Sequence, residues 1–242
     1  MLFVLSDTMS YIYNTMSLIN DQKPIIVVKG QAKLRKSDRT QQSILDAALK
    51  FLWTNPYRKL TVNELMSLAG SSRSVFYRYY ADLPTMMEHL LNELQEKTIA
   101  GTKPWFTEEG DPVLLLKESL ANLVKVTYEY GPILRAVTDA APMHERLEKA
   151  WALFVQNFND AVTDRIEQQQ ALGLIKPFDA RPVATALNLM DADLVRHHFG
   201  RLPRSNQASV LDAILRVWVA TLYGDSALNT CFSEGNTSIN LK

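Results

Sequence analysis

Apolar residues at Ile44, Ala47, Ala48, Phe51 and Leu52 recur at the three- and four-residue spacing of one helix face. Asn55-Pro56 closes that pattern, because a proline disfavours helix at the residue before it. A first helix is expected over 40–54. The next segment opens with Thr61-x-x-Glu64, whose side chains can satisfy free N–H groups at a helix start, and Val62, Leu65 and Ala69 then face one way. Gly70 supplies a left-handed turn residue, and Ser71 or Ser72 can cap a third short helix running to Tyr79. Two short helices joined by a tight glycine turn result.

Asp82 suits the N-cap of a fourth helix, with Pro84 in its first turn and Met87, Leu90, Leu91 and Leu94 on one face. That helix is expected to end near Gly101. The stretch Gly101 to Pro112 holds two Gly, two Pro and three acids, and reads as a connection. Further helices are expected over 113–129, 131–138, 143–172, 180–199 and 206–224, separated by Gly131-Pro132, Pro142, Gly173 to Pro177 and Gly200 to Ser205. Strand alternation and internal repeats are absent, so the fold class is all-α. The helix at 206–224 is apolar nearly all round, which suits either packing on a second copy or the centre of a monomeric bundle. A homodimer is the expectation.

Zero net charge hides an unequal division. Residues 33–80 carry nine Lys and Arg against three acids, a net of +6, whereas 81–242 carry 15 bases against 21 acids, a net of −6. A basic module therefore precedes a larger acidic body, and a polyanion is the expected partner of the first alone. Four segments follow: an extension at 1–32, disordered or loosely attached; a basic module of short helices at 33–82; a larger acidic helical body at 83–225; and a tail at 226–242. The single Cys231 falls in that polar tail, which leaves no disulfide framework and no zinc spacing. Met1 to Leu5 is apolar, but no basic residue precedes it and no run reaches the ~18 residues that span a bilayer. A cytoplasmic protein without membrane partner or cofactor is expected.

The run Thr61 to Asp82, above all Ser74-Val75-Phe76-Tyr77-Arg78-Tyr79-Tyr80, resembles the helix-turn-helix signature of the TetR family. The resemblance implies a repressor that binds a palindromic double-stranded DNA operator. Two positions depart from the family pattern: Ser71 stands where an apolar residue is usual, and Leu83 where a lysine is usual. In a helix-turn-helix the second helix enters the major groove and its first turns meet base edges. Ser72, Arg73 and Ser74 occupy that start, and Arg73, able to donate twice to guanine, is the candidate for base readout. Tyr77, Arg78 and Tyr79 suit phosphate contacts, as does Thr61 with its helix-start N–H groups, while Val75 and Phe76 read as core. Lys33, Arg35, Lys36 and Arg39 form a basic arm that can follow a phosphate backbone or remain a solvated tail.

Residues 184–191 and 217–225 look like the EthR-like subgroup, which implies an elongated, largely apolar effector channel and dimerisation through the last two helices. Compatible residues are present. Trp151, Phe154, Val155 and Phe158 repeat along one helix, Tyr130 and Trp218 add aromatic surface, and Asn188 and Asp191 share an apolar face that would bury them in need of partners, which a small apolar effector or the dimer partner could supply. An aromatic stripe is also what an ordinary core looks like. Catalysis is not expected: Asp193 and His197 share a face at i, i+4, but no nucleophile elbow, zinc-binding His-Glu-x-x-His pair or phosphate loop occurs. The competing reading is a helical small-molecule-binding or scaffold protein without DNA affinity.

Overall fold

A computed structural model describes residues 36–233. Among them the helices run α1 Lys36–Thr54, α2 Val62–Leu68, α3 Arg73–Phe76, α4 Leu83–Thr107, α5 Pro112–Ala140, α6 Glu145–Ala171, α7 Ala180–Phe199 and α8 Gln207–Ser233, with 3-10 turns at Tyr57–Lys59 and Ala141–Met143 and no strand. The extension at 1–32, the arm residues Lys33 and Arg35, and positions 234–242 lie outside the described residues. The chain divides into two units, Met1–Thr40 and Gln41–Lys242. Of the first, the opening turn of α1 is described; it contains Lys36 and Arg39, which therefore belong to a helix rather than to an arm before it.

In the second unit α5 is the central helix, packed against α4, α6, α7 and α8, while α6 also packs against α4 and α7. Its length is unexpected, because Gly131-Pro132 was read as a break. Two substitutes for the missing order explain the continuity. Pro132 has no N–H to give to the carbonyl of Tyr128, and the Arg204 guanidinium donates to that oxygen instead at 2.8 Å. Gly131 lets α7 come close: a Cβ there would lie 2.5 Å from the Phe199 carbonyl oxygen.

The same correction applies to α4, which passes Gly101 and Pro104 and ends at Thr107 rather than near Gly101. Ser119 of α5 repairs the ladder around the proline. Its hydroxyl accepts from the Trp105 N–H at 2.9 Å and donates to the Thr102 carbonyl at 2.8 Å. The residues read as a 12-residue connection thus contribute more than half their number to helix, because a hydroxyl on a neighbouring helix supplies what the sequence locally lacks. At the other end of the chain, α8 runs past 224 to Ser233 across a kink at Gly224, whose φ of 82° and ψ of 178° suit glycine alone. Cys231 lies on this last stretch and is buried, not in a polar tail.

Candidate nucleic-acid interface and ligand cavity

The head begins where Thr61 caps α2. Its hydroxyl accepts from the Glu64 N–H at 3.2 Å and donates to the Glu64 carboxylate at 2.9 Å, so the pair is closed side chain to side chain. Gly70, at φ 64°, ends α2: its N–H reaches the Ser67 carbonyl and the N–H of Ser71 reaches the Met66 carbonyl. That reversal is what allows α3 to start at Arg73, with Ser72 extended before it. Beneath the turn, Leu65, Met66 and Phe76 are buried with Ile44, Ala48 and Leu52 of α1. Tyr80 is buried too, its ring 5.6 Å from that of Phe76 and its hydroxyl accepting from the Gln41 amide at 3.2 Å.

Burying Phe76 and Tyr80 turns the intervening positions outward. Ser72, Arg73, Ser74, Tyr77 and Arg78 are exposed, as is Thr61, while Val75 and Tyr79 are half-buried. The Ser72 and Ser74 hydroxyls bond each other at 2.9 Å. Arg73 lies along its own helix, donating to the Tyr77 hydroxyl at 3.1 Å with its guanidinium 5.5 Å from the ring centre. Tyr77 is 48% exposed, so the pair forms one cationic and aromatic ridge. Arg39, in the other unit, is exposed in the first turn of α1. Leu83, in place of the lysine usual in the family, packs partly buried against the core, which gives it a role a lysine would not fill.

Asp82 caps α4, accepting from the Thr85 N–H at 2.8 Å and its hydroxyl at 2.6 Å. Burial pushes the Asp82 carboxyl up, but these bonds and the Arg146 guanidinium outweigh it and hold the group below its usual range. Arg146 of α6 in turn grips Glu88 of α4 through two nitrogens, at 3.2 and 2.7 Å.

Inside the body, α4 to α8 line a partly open cavity of about 80 Å³. Six of the residues expected at an effector site line it: Phe154, Val155 and Phe158 from α6, Asn188 and Asp191 from α7, and Trp218 from α8. Two do not. Trp151 stacks on Phe154 at 5.4 Å, and Tyr130 lies under the Lys97 ammonium at 5.4 Å. The other half of the wall, including Leu94, Trp105, Leu116, Leu120 and Thr127, comes from α4 and α5. Of these, Leu94 stands on a face that helical spacing marks as apolar, and nothing in a sequence separates a residue facing a void from one facing a neighbour. Trp105 was hidden further by lying in the supposed connection.

The hydroxyl, amide and carboxyl groups of the wall belong to Thr98, Thr102, Ser119, Thr127, Asn188 and Asp191. Asn188 donates to Asn159 at 2.9 Å, and the Trp218 indole N–H donates to Asp191 Oδ2 at 3.0 Å. Asp191 is 6% exposed and its Oδ1 has no hydrogen-bond partner. Burial drives its carboxyl up to about 8, the Trp218 bond pulling partly the other way. A further chain runs beside the cavity, from the Trp105 indole to the Tyr223 hydroxyl at 2.9 Å and on to Gln169 at 2.7 Å, tying α4, α8 and α6.

Helix α5 belongs to both sites. Leu134 faces the cavity, and the next residue, Arg135, donates through Nη2 to the carbonyls of Leu52 and Asn55, at 2.5 and 3.0 Å, at the end of α1. Arg204 adds a second tie, its guanidinium 3.6 Å from the Tyr128 ring centre of α5 and 4.9 Å from that of Trp53 in α1. Asp193 is paired with Arg196 of its own helix, and His198 Nδ1 is 2.8 Å from the Ser205 hydroxyl. No helix among the described residues is long and apolar enough to cross a membrane.

Comparison with known proteins bears on both regions. Residues 44–90 match the profile of bacterial regulatory proteins of the tetR family, and residues 116–224 match that of the C-terminal domain of the transcriptional regulator EthR. The HTH-type transcriptional regulator EthR of Mycobacterium tuberculosis (strain ATCC 25618 / H37Rv) is 27% identical over 209 residues, covering 82% of this chain and 94% of the relative. Among solved structures, a TetR-family regulator from Syntrophomonas wolfei superposes with a TM-score of 0.65 at 14% identity, over 85% of this chain and all of that one. A SmeT–triclosan complex superposes with the same TM-score at 15% identity, over 78% and 94%; SmeT is the repressor of a Stenotrophomonas maltophilia multidrug efflux pump.

Proposed function

Because the chain belongs to the TetR family of transcriptional regulators, we propose that it is a homodimeric repressor that holds a palindromic operator and releases it when a small, largely apolar effector enters the α4–α8 cavity. The observation that carries this reading is α5 itself, which lines the cavity at Leu134 and at Arg135 holds the end of α1, the helix on which the head is packed. An effector that spreads the cavity wall biases the position of that guanidinium, and with it the head. Operator half-sites lie one helical turn apart, about 34 Å, so a small rotation of each head is enough to spoil the match.

On this reading Arg73, Ser72 and Ser74 address base edges, while Tyr77, Arg78, Tyr79, Thr61 and Arg39 address phosphates. Thr61 does so through its neighbouring N–H groups, since its hydroxyl proton is committed to Glu64. Phe154, Val155, Phe158, Asn188, Asp191 and Trp218 meet the effector. The second copy packs on the outer faces of α7 and α8, where Leu189 and Val217 are 47% and 41% exposed amid small residues such as Ala186 and Ala213. The inward side of α8 already buries Val210, Leu211, Ile214, Leu215, Trp218 and Leu222 in its own subunit. The setting is the cytoplasm, with the protein on the nucleoid while DNA-bound.

Footprinting on the region upstream of its own gene, with binding followed as salt is raised, tests this directly. A protected palindrome whose affinity falls steeply with salt is expected. A protein that binds small apolar molecules yet ignores every duplex offered at low ionic strength is instead a helical binding protein without DNA affinity.

A further inference from the structure

Asp191 stands out from the rest of the cavity. Among the described residues that line it, this is the one ionisable group; the others are aliphatic, aromatic, hydroxyl or amide. A buried carboxyl needs partners, and Trp218 satisfies one oxygen while Oδ1 has none. The hydroxyls of the wall point the same way. Thr98, Thr102 and Thr127 spend their protons on the carbonyls of Leu94, Thr98 and Leu123, so they offer lone pairs, and Ser119 is committed at both ends. Apart from the proton of Asp191 itself, the hydroxyls of the wall thus offer acceptors rather than donors, and the rings of Trp105, Phe154, Phe158 and Trp218 line it.

We propose that the effector is a slender apolar molecule ending in a protonated amine, whose ammonium group binds at Oδ1 of Asp191 among these rings. This rests on the cavity being the effector site. An ammonium supplies several donors to the threonine lone pairs and the carboxyl, and aromatic rings attract cations. With its carboxyl pushed up to about 8, Asp191 carries its proton at neutral pH. Binding of the ammonium breaks that O–H bond, leaves a carboxylate paired with the cation, and passes the proton to the buffer.

The test is calorimetric titration of the full chain with octylamine, octan-1-ol and octanoate, at neutral pH, in buffers of different ionisation heat. Octylamine is expected to bind at least about tenfold more tightly than octanol, with about one proton released. Asp191→Asn should abolish both the preference and the release while octanol still binds. Octanol binding as well as the amine, or amine binding without proton release in the unaltered protein, overturns the proposal and leaves the effector cavity standing. Failure of all three to bind removes the cavity reading and this one with it.

Discussion

The head and the cavity solve opposite problems with the same kind of element. In the head, a stretch of about twenty residues is enough: Phe76 and Tyr80 go inward, and Ser72, Arg73, Ser74, Tyr77 and Arg78 are left facing out by the geometry of one turn. The cavity instead draws on five helices, from Leu94 to Trp218, and its one ionisable wall group keeps an oxygen without a partner. An exposed surface of this kind is local in the chain. Recognition built on burial is assembled from afar and holds a polar group at a cost, which a matching molecule can recover.

Substitutions can separate the two. The largest effect is expected from Phe76→Ala, which empties the centre of the head: about 3–5 kcal/mol of stability is lost on urea denaturation, and operator binding goes with it. If binding survives, the outward residues do not depend on that packing. Next comes Asp191→Asn. Because the native carboxyl titrates near 8 and an unfolded one near 4, the native state holds a proton that the unfolded chain gives up between those values, so the unaltered protein loses stability as pH rises through that window. Denaturation curves should show the variant more stable at pH 8, by on the order of a few kcal/mol, with the difference closing towards pH 4.

Arg135→Ala strikes the join. Leaving the Leu52 and Asn55 carbonyls without their donor should cost about 1–3 kcal/mol, and effector should then release DNA less completely in a gel-shift titration. The mildest pair lies on the surface. Arg73→Ala should flatten the preference for operator over a scrambled duplex by about 1–3 kcal/mol, whereas Arg78→Ala should weaken both alike and lower the salt slope by about 1. Equal effects from the two would show that neither reads bases.

Legibility followed the same division. Thr61, Gly70, Asp82 and the span of α7 could be read because capping and turn chemistry act within a few residues. The aromatic stripe of α6 was visible too, yet Phe154 lines the cavity while its stacked neighbour Trp151 does not, a matter the spacing along one helix leaves open. Gly131-Pro132 and Pro104 misled because the signals are sound locally and are overruled from a distance, by Arg204 in one case and Ser119 in the other. Cys231 was misplaced because the turn at Gly224 redirects α8 rather than ending it.

The Ser119 hydroxyl sets a rule for how such sequences can drift. It both gives and takes a hydrogen bond across the Pro104 irregularity, a duty that Ala, Val or Cys would leave undone and Thr could inherit. Across relatives, then, a proline at 104 and a hydroxyl at 119 should arrive and depart together: a lineage that loses the proline is released from the hydroxyl, and one that loses the hydroxyl first inherits a broken helix.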